Sequence, residues 1–137
     1  MTLHQTVQSV HQPVEPLVSQ LQDAWNTADG EAFAAPFAEQ ALFVTVQGIR
    51  ITGRAAIAAG HHGIFTTIYA GSTNTMEVLH TEAVADSVRI VQTRNTLSVP
   101  AGPLAGVRQA VGTLVLRATG TGWEIVSSQN TLVEEGR

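Results

Sequence analysis

"RQAVGTLVLRATGTGWEIVSSQNTLV", residues 108–133, is the stretch whose reading decides the fold. Apolar and polar residues alternate on both sides of "TGTG" at 119–122, as in two strands joined by a tight turn. With the turn there, Ala118 faces Trp123 and the pairing runs back antiparallel. One face then sets Leu116 opposite Ile125, Leu114 opposite Ser127 and Gly112 opposite Gln129. The other pairs Arg117 with Glu124, Val115 with Val126, Thr113 with Ser128 and Val111 with Asn130. The opposite charges of Arg117 and Glu124 favour this register. The face with Trp123, Leu116 and Ile125 must bury against the rest of the chain. Gly112 leaves space on that face, with the Gln129 amide pointing into it. The other face is half apolar and suits a sheet-to-sheet contact with a second copy.

The period of two extends upstream. Strands are expected at 74–84 and 88–99, joined by Ala85-Asp86-Ser87, and the loop "PAGPLAG" (100–106) leads into 108–118. The first half of the chain has a different rhythm. Val14, Leu17, Val18, Leu21, Ala24, Trp25 and Ala28 recur at helical spacing, with Pro13 at the start and Asp29-Gly30 at the end. Asp29 suits the cap of a second short helix carrying Phe33 and Phe37, broken near Pro36. "ALFVTV" (41–46) reads as a strand, and "IRIT" (49–52) pairs back on it after Gln47-Gly48. Thr52 or Gly53 caps a third helix with Ile57, His61, Ile64, Phe65 and Ile68 on one face, stopped by Ala70-Gly71-Ser72. Helices first and strands last predict an α+β fold. Residues 1–12 read as a flexible arm, 13–133 as one domain and 134–137 as a tail.

Composition narrows the partners. The 137 residues carry a net charge of -4, and charged residues are 13% of the chain. That is about half the usual share for soluble domains and suits a surface partly hidden in an oligomer. All basic residues are arginine and they are scattered, so nucleic acid is not expected as a partner. No cysteine is present, and no set of three metal ligands is apparent. No signal peptide or membrane-spanning run is seen, so the expected location is cytoplasmic and no membrane partner is expected. No glycine-rich nucleotide fingerprint appears, so no cofactor is expected.

Three segments carry a resemblance: "AWNTADGEAFAAPFAEQALFV" (24–44), "GIRITGRAAIAAGHHGIFTTIYAGS" (48–72) and "GWEIVSSQNT" (122–131). In this order the chain resembles the nuclear transport factor 2-like cone fold and, within it, the SgcJ/EcaC branch of the SnoaL-like superfamily. The resemblance implies a cone-shaped, curved, mixed but mostly antiparallel sheet with three N-terminal helices on its concave face. It also implies a homodimer paired through the outer sheet face, with an apolar pocket in each subunit. The superfamily includes isomerases, cyclases, dehydratases and epoxide hydrolases, and many members with no chemistry. The SgcJ/EcaC branch often stands beside natural-product pathways. Family members often have an acidic residue where this chain has Gln40.

Catalytic members commonly use a buried Asp or Glu, and no acid here has an apolar setting that suits one. Histidine is the remaining side chain with a useful resting pKa. His61 lies on the apolar stripe of the third helix. It reads as a general base or acid lining the pocket, or as a hydrogen-bonded core histidine. His62 points about a hundred degrees away and reads as a helix-edge residue. Arg94 would bind a carboxylate or polarise a carbonyl if its face of strand 88–99 turned inward; otherwise it is an interface arginine. Both faces of that strand are apolar enough to leave the phase open. The candidate catalytic set is His61, Arg94 and Gln129. The candidate pocket wall is Trp25, Phe33, Phe37, Phe43, Phe65, Tyr69, Gln92, Gly112 and Leu114. The expected function is His-assisted proton transfer on an apolar carbonyl or polyketide-like compound. The alternative is a carrier for a lipophilic small molecule without turnover.

Overall fold

A computed structural model describes residues 12–134; the expected arm at 1–12 lies outside them except for residue 12. The helices are α1 (Glu15–Asn26), α2 (Gly30–Ala34) and α3 (Arg54–Phe65). The strands are β1 (Phe37–Val44), β2 (Arg50–Thr52), β3 (Thr73–Ala85), β4 (Val88–Val99), β5 (Gly106–Ala118) and β6 (Trp123–Leu132). They form one six-stranded sheet in the order β2-β1-β6-β5-β4-β3. Only the β1–β6 pair is parallel. The sheet curls around the helices without closing, the cone that the resemblance implied.

Helix α1 forms because its apolar residues fall on one stripe: Leu17, Val18, Leu21, Ala24 and Trp25 are all buried. It ends where Ala28 adopts a left-handed φ of 54° and Asp29 N–H donates to Ala24 O. The Asp29 carboxylate then accepts from Ala32 N–H at 3.0 Å and caps α2. Glycine is required at position 30, since a Cβ there would meet Ala58 O at 2.6 Å and His62 N at 2.8 Å. This close approach locks α2 against α3. The second helix is shorter than expected. Phe37 leaves it and opens β1, because Pro36 ends the helix before that residue is reached. Helix α3 also stops early, at Phe65, so Ile68 and Tyr69 sit on the turns that follow.

The β5–β6 hairpin departs from the expected register at one point. Ala118↔Trp123, Arg117↔Glu124 and Leu116↔Ile125 pair as expected, but Val115 then pairs with Ser127. Val126 is the extra residue of a β-bulge, and beyond it every residue of β6 turns to the opposite face. Gly112 therefore faces Asn130 rather than Gln129. The phase of β4 is settled as well: Val91, Thr93, Asn95 and Val99 are buried, while Gln92 and Arg94 are exposed. The core between helices and sheet is led by Leu21, Phe37, Ile57, Val91, Leu116 and Ile125. No helix among the described residues is long and apolar enough to cross a membrane.

Candidate functional site

The opening motif of the resemblance anchors α1 to β3. Trp25 Nε1–H donates to Ser72 Oγ at 2.9 Å. The Asn26 amide donates to Asn74 O at 3.0 Å and accepts from Asn74 N–H at 2.7 Å, as a neighbouring strand would. Gln22 Oε1 accepts from Met76 N–H at 2.8 Å. These bonds hold the first inward residues of β3 against the helix, and with them the Asn74 side chain.

Inside the cone are two chambers. The outer one, about 140 Å³, is bounded by Trp25, Phe43, Ile64, Tyr69, Leu97 and Arg108 among others. The inner one, about 40 Å³, is bounded by Phe33, Phe37, Met76, Thr93, Leu114 and Ser128 among others. His61, Asn74, Asn95 and Asn130 line both, together with Trp25 and Phe43. They form a polar collar between the chambers in an otherwise largely apolar wall.

His61 reaches the collar from α3 and is 5% exposed. Its ring stacks on Phe33 with centroids 4.1 Å apart and meets the edge of Phe43 at 5.2 Å. Nδ1 lies 2.8 Å from Ile57 O. A carbonyl only accepts, so Nδ1 carries the proton and Nε2 keeps a lone pair. Burial pushes the His61 pKa below 6.5, and the bond to Ile57 offsets this only in part. The ring is neutral at pH 7, with Nε2 as its basic atom.

The amides complete the collar. Asn95 Nδ2 donates to Asn130 Oδ1 at 3.4 Å. Asn95 Oδ1 and Asn74 Oδ1 are buried and accept from no donor among the described residues. Gly112 makes room for this group, since a Cβ there would lie 2.7 Å from both Asn130 Oδ1 and Thr93 Oγ1. At the outer end, Arg108 donates from Nε to Leu104 O at 3.4 Å. Burial raises the pKa of Tyr69, and the nearby Arg108 charge partly offsets the rise.

Of the expected catalytic residues, only His61 is in the cavity. Arg94 and Gln129 are exposed on the outer face of the sheet. Arg94 lies 3.7 Å from Glu77 in an ion pair. The β4 phase turns Arg94 out, and the Val126 bulge turns Gln129 out. Neither reaches His61, nor is Tyr69 hydrogen-bonded to it; the ring's bond goes to its own helix. Gln92 faces out with Arg94. Trp25, Phe43 and Tyr69 line the outer chamber, and Phe33, Phe37 and Leu114 the inner one. Phe65 stands behind Trp25, their ring centroids 4.9 Å apart, and bounds neither chamber. The residues that sequence reasoning missed are Asn74, Asn95, Asn130 and Arg108.

A SnoaL-like domain model matches residues 14–132. The chain belongs to the SnoaL-like domain family. A solved structure from Nostoc punctiforme, a domain of unknown function with a cystatin-like fold, is 28% identical to this SnoaL-like chain. It superposes with a TM-score of 0.78 over 99% of this chain and 82% of its own. A ketosteroid isomerase-like protein from Erwinia carotovora is 14% identical, with a TM-score of 0.73 over 88% of this chain and 94% of that one. A putative scytalone dehydratase from Novosphingobium aromaticivorans is also 14% identical, with a TM-score of 0.76 over 88% and 82%. At that identity the last two show a shared fold. No curated protein matches the chain.

Proposed function

We propose that this SnoaL-like protein takes up a small, mainly apolar molecule in the cone and that His61 Nε2 removes a proton from it. The observation that carries the reading is the collar. A neutral histidine with its proton fixed on Nδ1 sits beside three asparagines where two apolar-walled chambers meet. A carbonyl compound placed there would present its acidic C–H to Nε2. The Asn130 Nδ2–H group, which has no acceptor among the described residues, would donate to the developing enolate oxygen. The isomerase-like and dehydratase-like names of fold neighbours are compatible with such chemistry and lend it no residue.

Carriage without turnover is the second reading. It is favoured by the lack of any carboxylate among the described lining residues and by the aromatic cage around His61, which disfavours the imidazolium that proton removal creates. Incubation of retained carbonyl compounds with the protein in D₂O separates the two. Proton transfer predicts deuterium at the carbon beside the carbonyl, catalysed by the wild type and abolished in His61→Gln. Retention without exchange supports carriage.

The remaining expectations stand as proposals of the same reading: a place in the SgcJ/EcaC branch, a cytoplasmic natural-product context and a homodimer. The dimer would form through the outer sheet face, where the Gln92–Thr113–Gln129 and Arg94–Val111–Thr131 rows lie.

A further inference from the structure

The collar and the mouth of the cavity together specify the ligand more narrowly than an apolar pocket does. The collar is rich in acceptors. Asn74 and Asn95 are 4% and 6% exposed, and the Oδ1 atom of each accepts from no donor among the described residues. His61 Nε2 is a third acceptor, because Nδ1 holds the proton. A buried acceptor left without a donor is costly, so a group that donates a hydrogen bond is stabilised at Asn74 Oδ1 and Asn95 Oδ1, and an ether oxygen placed against them is not. At the other end, Arg108 is the one charged side chain among the described residues that line the outer chamber. No carboxylate among the described residues forms an ion pair with it. Arginine holds a carboxylate through paired N–H donors, and the Tyr69 phenol beside it offers a further donor. The wall between the two ends is made by Trp25, Phe43 and Leu97.

We propose that the ligand is a hydroxylated carboxylic acid with an apolar ring body: its carboxylate is held at the mouth by Arg108, and its hydroxyl donates its one hydrogen to Asn95 Oδ1 at the collar. This rests on the small-molecule reading above and names the class of molecule that the pocket takes.

Four matched probes test it by isothermal titration calorimetry on the full chain: 6-hydroxy-2-naphthoic acid, 6-methoxy-2-naphthoic acid, 2-naphthoic acid and 2-naphthol. The hydroxy acid is expected to bind tightest, by about tenfold over the methoxy acid and about tenfold over 2-naphthol. Arg108→Gln should weaken the hydroxy acid about tenfold and leave 2-naphthol unchanged. Asn95→Ala should erase the preference for hydroxy over methoxy, with circular dichroism confirming that the variant is folded. Asn95→Leu, which keeps the side-chain volume, gives the same readout if Asn95→Ala fails to fold. Equal binding of all four probes, or an Arg108→Gln variant that keeps its preference for the acid, overturns the proposal while leaving the pocket reading intact. If none of the four binds, the small-molecule reading falls and the proposal with it.

Discussion

His61 combines burial with one fixed hydrogen bond, and this has a consequence for stability. In the unfolded chain its pKa is near the ordinary 6.5; in the folded protein burial lowers it. As pH falls through 6.5 the unfolded state therefore gains a proton that the folded state refuses. This contribution is fully present above 6.5 and is lost as the pH drops toward the lower folded pKa. Urea denaturation midpoints should fall between pH 7.5 and pH 5.5, and His61→Leu should flatten part of that slope. An unchanged slope in His61→Leu would place the ring in water. Gly112 makes a second residue-scale prediction. Gly112→Ala would push a methyl group against Asn130 and Thr93, so it should cost about 1–3 kcal/mol and weaken ligand binding. Thermal unfolding and calorimetry on the same variant check both effects. His61 was legible in the sequence because its neighbours on the helical stripe, Ile57 and Phe65, had to face the core. The asparagines were not, since a short amide on a strand reads equally well as a turn-proximal or solvent residue. Asn95 did share a face with Val91, Leu97 and Val99, and the apolar company of that face was the signal that could have found it.

At the scale of elements, the errors and the successes have the same physical root. Helix α1 and the start of the β5–β6 hairpin could be read because their periods are long and unbroken. The Val126 bulge could not be read. It adds one residue inside an apolar run without glycine or proline to mark it, yet it reverses the facing of everything after it. That single inserted residue separates the expected Gln129 from the observed Asn130. β4 was ambiguous for a different reason: its outer face carries Val88 and Ile90, half-buried even without a partner. The docking of α1 on β3 also belongs to this scale. Asn26 supplies a donor and an acceptor to the backbone of Asn74, in place of a strand neighbour. Asn26→Ala leaves both groups in a part-buried site without these bonds. It should destabilise the protein by about 1–3 kcal/mol and lower the melting temperature. It should also loosen Asn74 and weaken ligand binding, which a surface substitution such as Thr66→Ala would not.

At the scale of the whole molecule, the sheet has two faces of different character. The inner face holds the core and the collar. The outer face mixes half-buried Ile90, Val111, Thr113 and Val115 with exposed Gln92, Arg94 and Gln129. Pairing of two such faces would cover apolar surface and place the arginines at its centre or rim, as dimer interfaces favour. Light scattering after size exclusion should give a dimer at micromolar concentration. Val111→Glu should convert it to a folded monomer, because a charge would then be buried without a partner. A wild-type monomer at that concentration would count against the outer-face dimer and leave the pocket untouched.

The central claim is that the cone is a small-molecule site whose working atom is His61 Nε2, and long-range ¹H–¹⁵N NMR of the imidazole at pH 7 tests it most directly. The spectrum should show one protonated ring nitrogen, Nδ1, and an unprotonated Nε2 whose resonance shifts when a hydroxylated probe such as 6-hydroxy-2-naphthoic acid saturates the protein. A proton on Nε2 in the free protein, or an Nε2 signal unmoved by saturating probe, would contradict it.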